Sequence, residues 1–468
     1  NGASRDPFVQ TEWTRLLSYN ILFYEAQRSG ILPANNRIGW RHDSALDDGH
    51  DNGTDLVGGY YDAGDYLKFT LPLSFSLSQL AWGGIAFWRT YEESGQAPAF
   101  DLQLRWGLDW LMKAHANTTT IYAQVGDGTL DHNYWGPDTG IPRPRPAYSI
   151  DAHRPGTDLA ASVCAAFASG AILYRRHIND AAYADLLQQH AMETCEFAES
   201  RPMRLYQDSV PSVAPYYASS GYYDDLCWAM VWMARLTGEQ AYLERAKQYI
   251  YEGRLRASKP PFNWDEKRGG CFVVGAIARS RMGEGGTDQD WKDWAESYLD
   301  SIVTLQNAQL TAGGLLWYHD LSDSDSTVFA SNAAQLLLTY AARNLPVNSA
   351  RRRRYENFAT AQFDYLLGRN PVRIPYVIGV HPNSPKNPHH AGTHGGTDLQ
   401  NLDDPPESQH ILYGAVVGGP SFLDEYEDQR DNWKQSEVTL DYNAGFQSVV
   451  AHQYLYATDA PYYAGLPE

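Results

Sequence analysis

Hydrophobic residues recur at helical spacing along most of the chain, and between residues 159 and 455 the helical segments are of two kinds. Segments of the first kind are rich in small residues and apolar on every side: 159–173 (LAASVCAAFASGAIL), 226–236, 329–342 and 442–456. Segments of the second kind carry a charged face: 181–200, 240–253, 290–305 and 351–368. An apolar helix has to be covered by its neighbours, and an amphipathic helix can cover it. The alternation predicts an inner ring of helices wrapped by an outer ring.

Strand patterns are sparse, so the chain is predicted to be mainly α, with helical hairpins closed into a barrel. No Pro/Gly/Ser-rich linker interrupts the pattern, which predicts a single domain over residues 1–468 without an accessory module. Three long stretches rich in Gly, Pro, Asn and His fit neither the helical nor the strand period: 47–66, 124–158 and 377–421. Long loops in a compact domain usually carry function, so we expect these three to form a cleft.

The chain has 37 Lys and Arg against 56 Asp and Glu, for a net charge of −19. This charge argues against nucleic acid and anionic membranes as partners, because both would be repelled. A neutral polymer would not be repelled by this charge. The 14 Trp and 32 Tyr offer flat surfaces on which the rings of such a polymer can stack, although a large aromatic core explains them equally well. We find no run of about 18 apolar residues, so no membrane span is expected. The start, NGASRDPF, has no leader pattern, so an exported protein would already have lost its signal.

The four cysteines lie in apolar contexts and show no CxxC pairing, which argues against a zinc site or a dense disulfide framework. Buried free thiols are the expected state of Cys164, Cys195, Cys227 and Cys271, with one disulfide as the alternative.

Candidate chemistry first appears in Gly58-Gly-Tyr-Tyr-Asp62-Ala-Gly-Asp65, where two carboxylates stand three residues apart among glycines. In a turn, this spacing points both side chains the same way, so the pair can hold one water from two sides and polarise it. A calcium loop is the structural alternative, but the spacing lacks the alternate-position ligands of an EF-hand.

A second cluster of acidic and aromatic residues, from Tyr426 to Phe446, precedes the last predicted helix. Glu437 lies in it between Trp433 and Tyr442. Aromatic neighbours desolvate a carboxyl group and raise its pKa, which suits a proton donor. The structural alternative is a carboxylate that complements the dipole at a helix N-terminus.

These segments resemble glycoside hydrolase family 9, the endoglucanase-type cellulases, and the resemblance runs from Ser18 to Phe446. ILFYEAQRSGILPANNRIGWRHDSALDDG is similar to the opening of the family, and DLVGGYYDAGDYLKF to its base motif. The pattern aromatic-x-Asp-x4-aromatic-x3-Glu-x-Thr-x3-Asn-Ala of its acid motif is met from Tyr426 to Ala444. Two long motifs in the right order are far more specific than either alone.

The resemblance implies an (α/α)6 barrel and an endo-β-1,4-glucanase that hydrolyses its glucan with inversion at the anomeric carbon. In these roles Asp65 is the general base, Asp62 holds the same water, and Glu437 is the general acid. Inversion places the two carboxyls roughly 6.5–9.5 Å apart. The resemblance also implies a secreted, extracellular enzyme, and we expect a monomer.

The resemblance extends to substrate-binding residues in several segments of the cleft. The residues assigned to sugar contact in this way are His132, Trp135, Tyr216, Trp264, His389, Asp428 and Tyr442. His389 belongs to Pro388-His-His390, which resembles the Pro-His-His-Arg site of the family.

Ser219-Ser-Gly-Tyr-Tyr-Asp-Asp225 resembles a calcium loop of the family. It implies a structural Ca²⁺ held by Ser220, Gly221, Asp224 and Asp225, which offer hard oxygen ligands. A helix N-cap with acidic first-turn residues is the structural alternative.

The chain departs from the family pattern in three places. Ala391 stands where the family has Arg after the two histidines, and Ser219 stands where many members have Trp. Between residues 321 and 329 the chain reads LSDSDSTVF, without the Trp and Arg that the family carries there. A sugar-stacking platform is therefore absent or moved, and we expect Trp317 to replace it.

Two other functions compete with that of a cellulase. The first is a hydrolase of the same fold acting on mixed-linkage glucan, xylan or chitosan through the same carboxylates. The second is a catalytically inactive glucan-binding protein, which the intact Asp62, Asp65 and Glu437 disfavour.

Overall fold

The computed structural model describes residues 6–282, 289–397 and 399–467. Residues 1–5, which make up most of the segment NGASRDPF, lie outside them. Helices dominate the described chain. In chain order they are α1 (Pro7–Ala26), α2 (Thr70–Glu93), α3 (Ala97–Ala114), α4 (Gly128–His132), α5 (Thr157–Leu173), α6 (Ala181–Glu199), α7 (Tyr206–Ser209), α8 (Ala214–Tyr217), α9 (Tyr223–Thr237), α10 (Gln240–Glu252), α11 (Arg268–Arg281), α12 (Gln289–Val303), α13 (Ser322–Asn344), α14 (Ala350–Leu366), α15 (Ala391–His394), α16 (Trp433–Ser436) and α17 (Leu440–Tyr456).

Six helices form a closed inner ring, in which each packs against the next in the order α2, α5, α9, α11, α13, α17 and back to α2. All four apolar segments predicted from the sequence lie in this ring. Every residue of α5 is buried, because it is packed by α2, α9 and the outer helix α6. The sequence pattern missed two members, α2 and α11.

The outer ring consists of α1, α3, α6, α10, α12 and α14. Each of these helices covers one inner helix, as α6 covers α5 and α14 covers α13. The four amphipathic segments of the sequence are α6, α10, α12 and α14. The predicted (α/α)6 barrel is confirmed, and the hydrophobic effect explains it, since the amphipathic helices bury their apolar faces on helices that have no polar face.

Strands are few and short, and they lie in the connections between helices. The first sheet consists of β1 (Lys68–Phe69), β2 (His115–Asn117), β3 (Thr120–Val125) and β4 (Ala147–Ile150), all pairing antiparallel to β3. A hairpin consists of β5 (Gln309–Leu310) and β6 (Leu316–Trp317). The three predicted loops contain only short elements, and together with the segments before the inner helices they gather at one end of the barrel.

Two disulfides join the helices, Cys164–Cys195 between α5 and α6 and Cys227–Cys271 between α9 and α11. The prediction of free thiols is therefore wrong. An apolar context is shared by buried thiols and buried disulfides, and only the packing of neighbouring helices brings these pairs within bonding distance.

Among the described residues, one helical stretch, Thr157–Ile178, is long and apolar enough by composition to cross a membrane, a feature that the sequence analysis did not find. Its most apolar 18 residues are wholly buried inside the barrel, which accounts for their composition.

Candidate active site

A cavity of about 560 Å³ opens at the end of the barrel where the inner helices begin. It brings together most of the residues predicted from the sequence. These are Asp62, Asp65, His132, Trp135, Tyr216, Trp264, His389, Glu437 and Tyr442. Six of them lie just before or at the start of the inner helices α2, α9, α11 and α17, so the positive ends of several helix dipoles point towards the cavity. The other three, His132, Trp135 and His389, lie in or beside the short helices α4 and α15.

Asp62 and Asp65 lie in the turn that leads into α2. Asp62 is buried, and its Oδ2 accepts a hydrogen bond of 2.5 Å from the Tyr217 hydroxyl. Asp65 is more accessible, with 17% of its side chain exposed, and its Oδ2 lies 3.1 Å from Nε2 of His132. The two neighbouring carboxyls therefore have different partners and different access to solvent.

The two carboxyls also differ electrostatically. Burial, and then the charge of Asp65, raises the pKa of Asp62 well above its usual range. The hydrogen bond to Asp65 is the main cause that raises the pKa of His132, so an imidazolium is favoured beside the Asp65 carboxylate. Burial thus favours the protonated form of Asp62, whereas Asp65 has a basic partner in His132.

The turn of Asp62 and Asp65 touches the loop of His389 at Gly64. A Cβ atom placed on Gly64 would lie 1.8 Å from the carbonyl oxygen of His389, so only glycine fits there. The Gly64 carbonyl in turn accepts a hydrogen bond of 2.8 Å from the Ala391 amide. His389 also forms a β-bridge with Glu437. The loop of His389 therefore contacts both the segment of Asp62 and Asp65 and the segment of Glu437.

Glu437 lies between α16 and α17, and its backbone is held at both ends. Its amide donates to the Trp433 carbonyl at 3.0 Å, and its carbonyl accepts from the Gly418 amide at 2.9 Å. Burial is the largest cause that raises the pKa of its side chain well above the usual range, followed by the charges of Asp325, Asp65 and Asp441. A protonated carboxyl held rigidly in the cavity wall can serve as a proton donor.

Three further carboxyls line the cavity that the sequence analysis did not assign. Burial raises the pKa of Asp131 and of Asp441 to about 7 and that of Asp325 to about 6. Asp441 lies inside the acid motif and Asp131 is next to His132, so their position in the sequence could have indicated them. Asp325 lies in the segment that departs from the family, and no motif could have found it.

Aromatic rings form much of the wall. His132 packs edge-on against Tyr216 at 5.2 Å between ring centroids, and Trp135 packs edge-on against His389 at 4.8 Å. Nδ1 of His389 is 2.6 Å from the Arg430 carbonyl, which fixes the ring and leaves Nε2 as its other polar atom.

Two predicted contacts lie outside the cavity lining. Trp317 is buried in the β5–β6 hairpin and packs on Phe422, so its position gives no support to a replacement platform. Asp428 accepts hydrogen bonds from the amides of Lys386 and Asn387, at 2.9 and 3.0 Å. It therefore holds the loop that leads to His389.

The predicted calcium loop precedes and begins α9. Asp224 accepts a hydrogen bond of 2.7 Å from the Lys267 amide, and the Asp265 carboxylate accepts one of 2.7 Å from the Ser220 amide. Asp225 is engaged differently, since its Oδ1 lies 2.6 Å from Nζ of Lys267. Burial raises the pKa of both Asp224 and Asp225, and the charge of Lys267 offsets only part of the effect. The oxygen-rich donor set fits a hard cation, with Asp265 as a candidate that the sequence analysis missed and Lys267 as a competitor at Asp225.

Comparisons with known proteins agree with this geometry. The family model described as Glycosyl hydrolase family 9 matches residues 13–450. Endoglucanase A of Bacillus pumilus is 39% identical over 462 residues, which cover 96% of this chain and 67% of that protein. The endoglucanase structure from the termite Nasutitermes takasagoensis is 36% identical with a TM-score of 0.86, covering 95% of this chain and 98% of its own. The cellulase Cel9M of C. cellulolyticum in complex with cellobiose is 30% identical with a TM-score of 0.83, covering 95% and 98%.

Proposed function

The chain belongs to glycosyl hydrolase family 9, and we infer that it is an endo-β-1,4-glucanase that hydrolyses its substrate with inversion. The observation that carries this inference is the single cavity lined by both Asp65 and Glu437, with Asp62 beside the former. The residues come from motifs more than 350 positions apart, and their convergence is what the chemistry requires.

In the proposed reaction, Asp65 takes a proton from a water that Asp62 helps to hold. Asp65 suits this role, because its carboxyl is partly accessible and lies beside His132, while burial favours the protonated form of Asp62. The water attacks the anomeric carbon from the face opposite the leaving group, which inverts the configuration.

Glu437 donates a proton to the glycosidic oxygen as the bond breaks. Burial and the surrounding carboxylates favour its protonated form, so that it can begin the reaction as an acid. The aromatic wall of Trp135, Tyr216 and Trp264 offers flat faces for sugar rings, and His389 offers a ring nitrogen for a sugar hydroxyl.

The proposed substrate is a β-1,4-glucan, supported by the cellobiose complex of the related Cel9M. Among other polymers, one observation favours chitosan as the second candidate. Six of the described lining residues are Asp or Glu and none is Lys or Arg, a surrounding that suits the ammonium groups of glucosamine. Rates of reducing-sugar release from carboxymethyl cellulose, mixed-linkage glucan, xylan and chitosan distinguish these substrates.

The catalytic roles are tested by Asp65→Ala and Glu437→Gln. Each substitution should lower kcat by about 10²–10⁴-fold, because each removes one of the two proton transfers. Glu425→Gln is the matched control, since Glu425 is exposed and outside the cavity lining, and it should retain full activity. Turnover close to wild type in either active-site variant, with a normal Tm, would refute the assigned roles.

Inversion is tested separately by proton NMR of the first products. The α-anomer should appear first and then mutarotate towards equilibrium. An initial β-anomer would mean retention and would contradict a water-activating role for Asp65.

We also propose a structural calcium ion at the loop before α9, held by oxygens of Ser220, Gly221, Asp224 and Asp265. When bound, the ion would supply positive charge to crowded carboxyls and tie the loop of Tyr216 and Tyr217 to the segment of Trp264. Asp225, the remaining predicted ligand, has Lys267 as its cation.

Calcium is tested by thermal unfolding of enzyme treated with EDTA. Adding Ca²⁺ should raise the Tm of the wild type but not that of Asp224→Asn, while Asp208→Asn, at an exposed carboxylate outside the loop, should respond like the wild type. A wild-type Tm that does not respond to Ca²⁺ would rule the site out.

Secretion is a further part of the proposal, supported by the two disulfides, which form in oxidising compartments. Denatured, unreduced protein from the culture medium should then contain no titratable thiol. The expected monomeric state stays a prediction, which light scattering on the purified protein can test.

A further inference from the structure

Two histidines and a glutamate meet between the outer helices, and none of them lines the active-site cavity. His115 ends α3 and begins β2, whereas His190 and Glu193 lie on α6. A spacing of three residues places His190 and Glu193 on the same face of that helix. One ligand atom from each of the three residues lies within 4.8 Å of the others.

The contacts among these side chains leave one buried nitrogen unused. Nδ1 of His115 is 2.7 Å from Nδ1 of His190, and the rings meet edge to face. Nε2 of His115 is buried and accepts or donates no hydrogen bond among the described residues, while Oε2 of Glu193 lies 3.9 Å from it. The side chain of His115 is 1% exposed, so water does not satisfy that nitrogen freely. A buried polar atom without a partner is costly, and a ligand shared with Glu193 would remove the cost.

The chemistry of the cluster selects a class of ligand. Two imidazoles and one carboxylate are the donors that Zn²⁺ prefers in proteins, and His-x-x-Glu on one helix face presents two of them together. Calcium would instead require several oxygens. Burial lowers the pKa of His115 to about 4, and burial also lowers that of His190, so both rings are in the neutral form that binds metals.

We propose that His115, His190 and Glu193 form a binding site for a divalent transition-metal ion of the zinc class, which joins the end of α3 to α6. Binding through Nε2 of His115 requires a small rotation of the His190 ring, since Nδ1 of His190 faces Nδ1 of His115. It also requires Glu193, whose Oε1 accepts a hydrogen bond of 3.0 Å from the exposed Gln189, to turn towards the histidines. Phe167 packs against both rings and holds them in place.

The probe is Zn²⁺ added to full-length enzyme that has been stripped with EDTA and then saturated with Ca²⁺. The wild type should bind one more zinc per chain than His190→Gln and Glu193→Gln, as measured by calorimetry. Its Tm should rise by about 2–4 °C with excess Zn²⁺, and those of the two variants should not. Co²⁺ in place of zinc should give the visible absorption of a low-coordinate nitrogen-liganded ion in the wild type only.

Two matched variants control for other binding. Glu196→Gln removes an exposed carboxylate from the same helix, and His153→Gln removes an exposed histidine elsewhere. Both should bind zinc and gain stability as the wild type does. Zinc bound at the active-site carboxylates would inhibit all forms alike and would add equally to every titration.

The proposal is overturned if the wild type binds no zinc beyond the amount bound by His190→Gln and Glu193→Gln, or if zinc leaves its Tm unchanged. The Tm of each variant is first compared with that of the wild type without zinc. Because the two variants change different residues, a folding defect in one of them leaves the other as the test. The outcome is independent of hydrolysis, since the three residues lie outside the cavity lining.

Discussion

Glu437 shares its cavity with five other carboxyl groups, and the charges of Asp325, Asp65 and Asp441 add to the effect of burial in raising its pKa. Asp325 interrupts the first turn of α13 with non-helical backbone angles, φ −151° and ψ 46°. Its Oδ1 accepts a hydrogen bond of 2.5 Å from the Tyr442 hydroxyl, one helix away. Asp325 lies in the segment 321–329, where the chain lacks the Trp and Arg of the family pattern. This segment therefore brings a carboxyl group to the cavity in place of an aromatic and a cationic side chain.

Asp325→Asn tests whether this acid helps to keep Glu437 protonated. The amide retains the shape and an acceptor for Tyr442 but removes the charge, so the pKa of Glu437 should fall. The alkaline limb of the kcat profile should move to lower pH, with activity at about pH 7 reduced several-fold and activity at about pH 5 changed less.

Asp323→Asn is the control for that experiment, because Asp323 lies two residues away on the same helix and is exposed. It should leave the profile in place. An alkaline limb that does not move in Asp325→Asn would show that Asp325 does not help to keep Glu437 protonated.

At the scale of elements, the site depends on the contact between the turn before α2 and the loop before α15. Gly64 lets the two backbones approach, and the hydrogen bond from Ala391 to the Gly64 carbonyl closes the contact. Through the β-bridge of His389 with Glu437, the same contact sets the base segment against the acid segment. A side chain at position 64 would therefore separate them.

Gly64→Ala should lower kcat by at least about tenfold and also lower the Tm, because its Cβ would overlap the His389 carbonyl and backbone must move. Kinetics and calorimetry on the purified variant measure both effects. Gly39→Ala is the matched control, since a Cβ there meets nothing within 4 Å. Equal activity in the two variants would mean that the contact does not position the catalytic carboxyls.

At the scale of the whole molecule, buried acids make stability depend on pH. Burial raises the pKa of five buried or partly buried carboxyls to about 6 or about 7: Asp131, Asp158, Glu266, Asp325 and Asp441. Each binds its proton more tightly in the folded than in the unfolded state. The stability that they contribute is complete below the unfolded pKa, about 4, and is lost as pH rises through the folded values. Buried His452, whose pKa burial lowers to about 3, acts in the opposite sense as pH falls below about 6.5.

These carboxyls should therefore make the Tm fall as pH rises from about 4 to about 7, with His452 offsetting part of the fall and the net charge of −19 reinforcing it. Calorimetry across this range measures it. Asp158→Asn should flatten the decline, since Asp158 is fully buried and is not part of the cavity lining. A Tm that rises steadily from about pH 4 to about pH 7 would contradict the raised pKa values.

The sequence by itself determined the ring architecture and the principal carboxyls. Two helix classes with different burial requirements have few arrangements that cover every apolar face, so α5 and α6 could be assigned to their layers from composition alone. Asp62, Asp65 and Glu437 lie in local motifs whose residue types and spacing are written directly in the chain.

Only the tertiary structure decided which distant groups meet. Asp325 beside Glu437, Lys267 beside Asp225, the two disulfides and the cluster of His115 with His190 all join residues on different elements, and no local pattern encodes such pairs. Trp317 is a case in which residue type alone led to a wrong expectation. An aromatic ring suits a sugar-stacking platform, but the hairpin buries this ring against Phe422. Periodicity determines which face of an element is buried, whereas the partner on that face depends on how the whole ring closes.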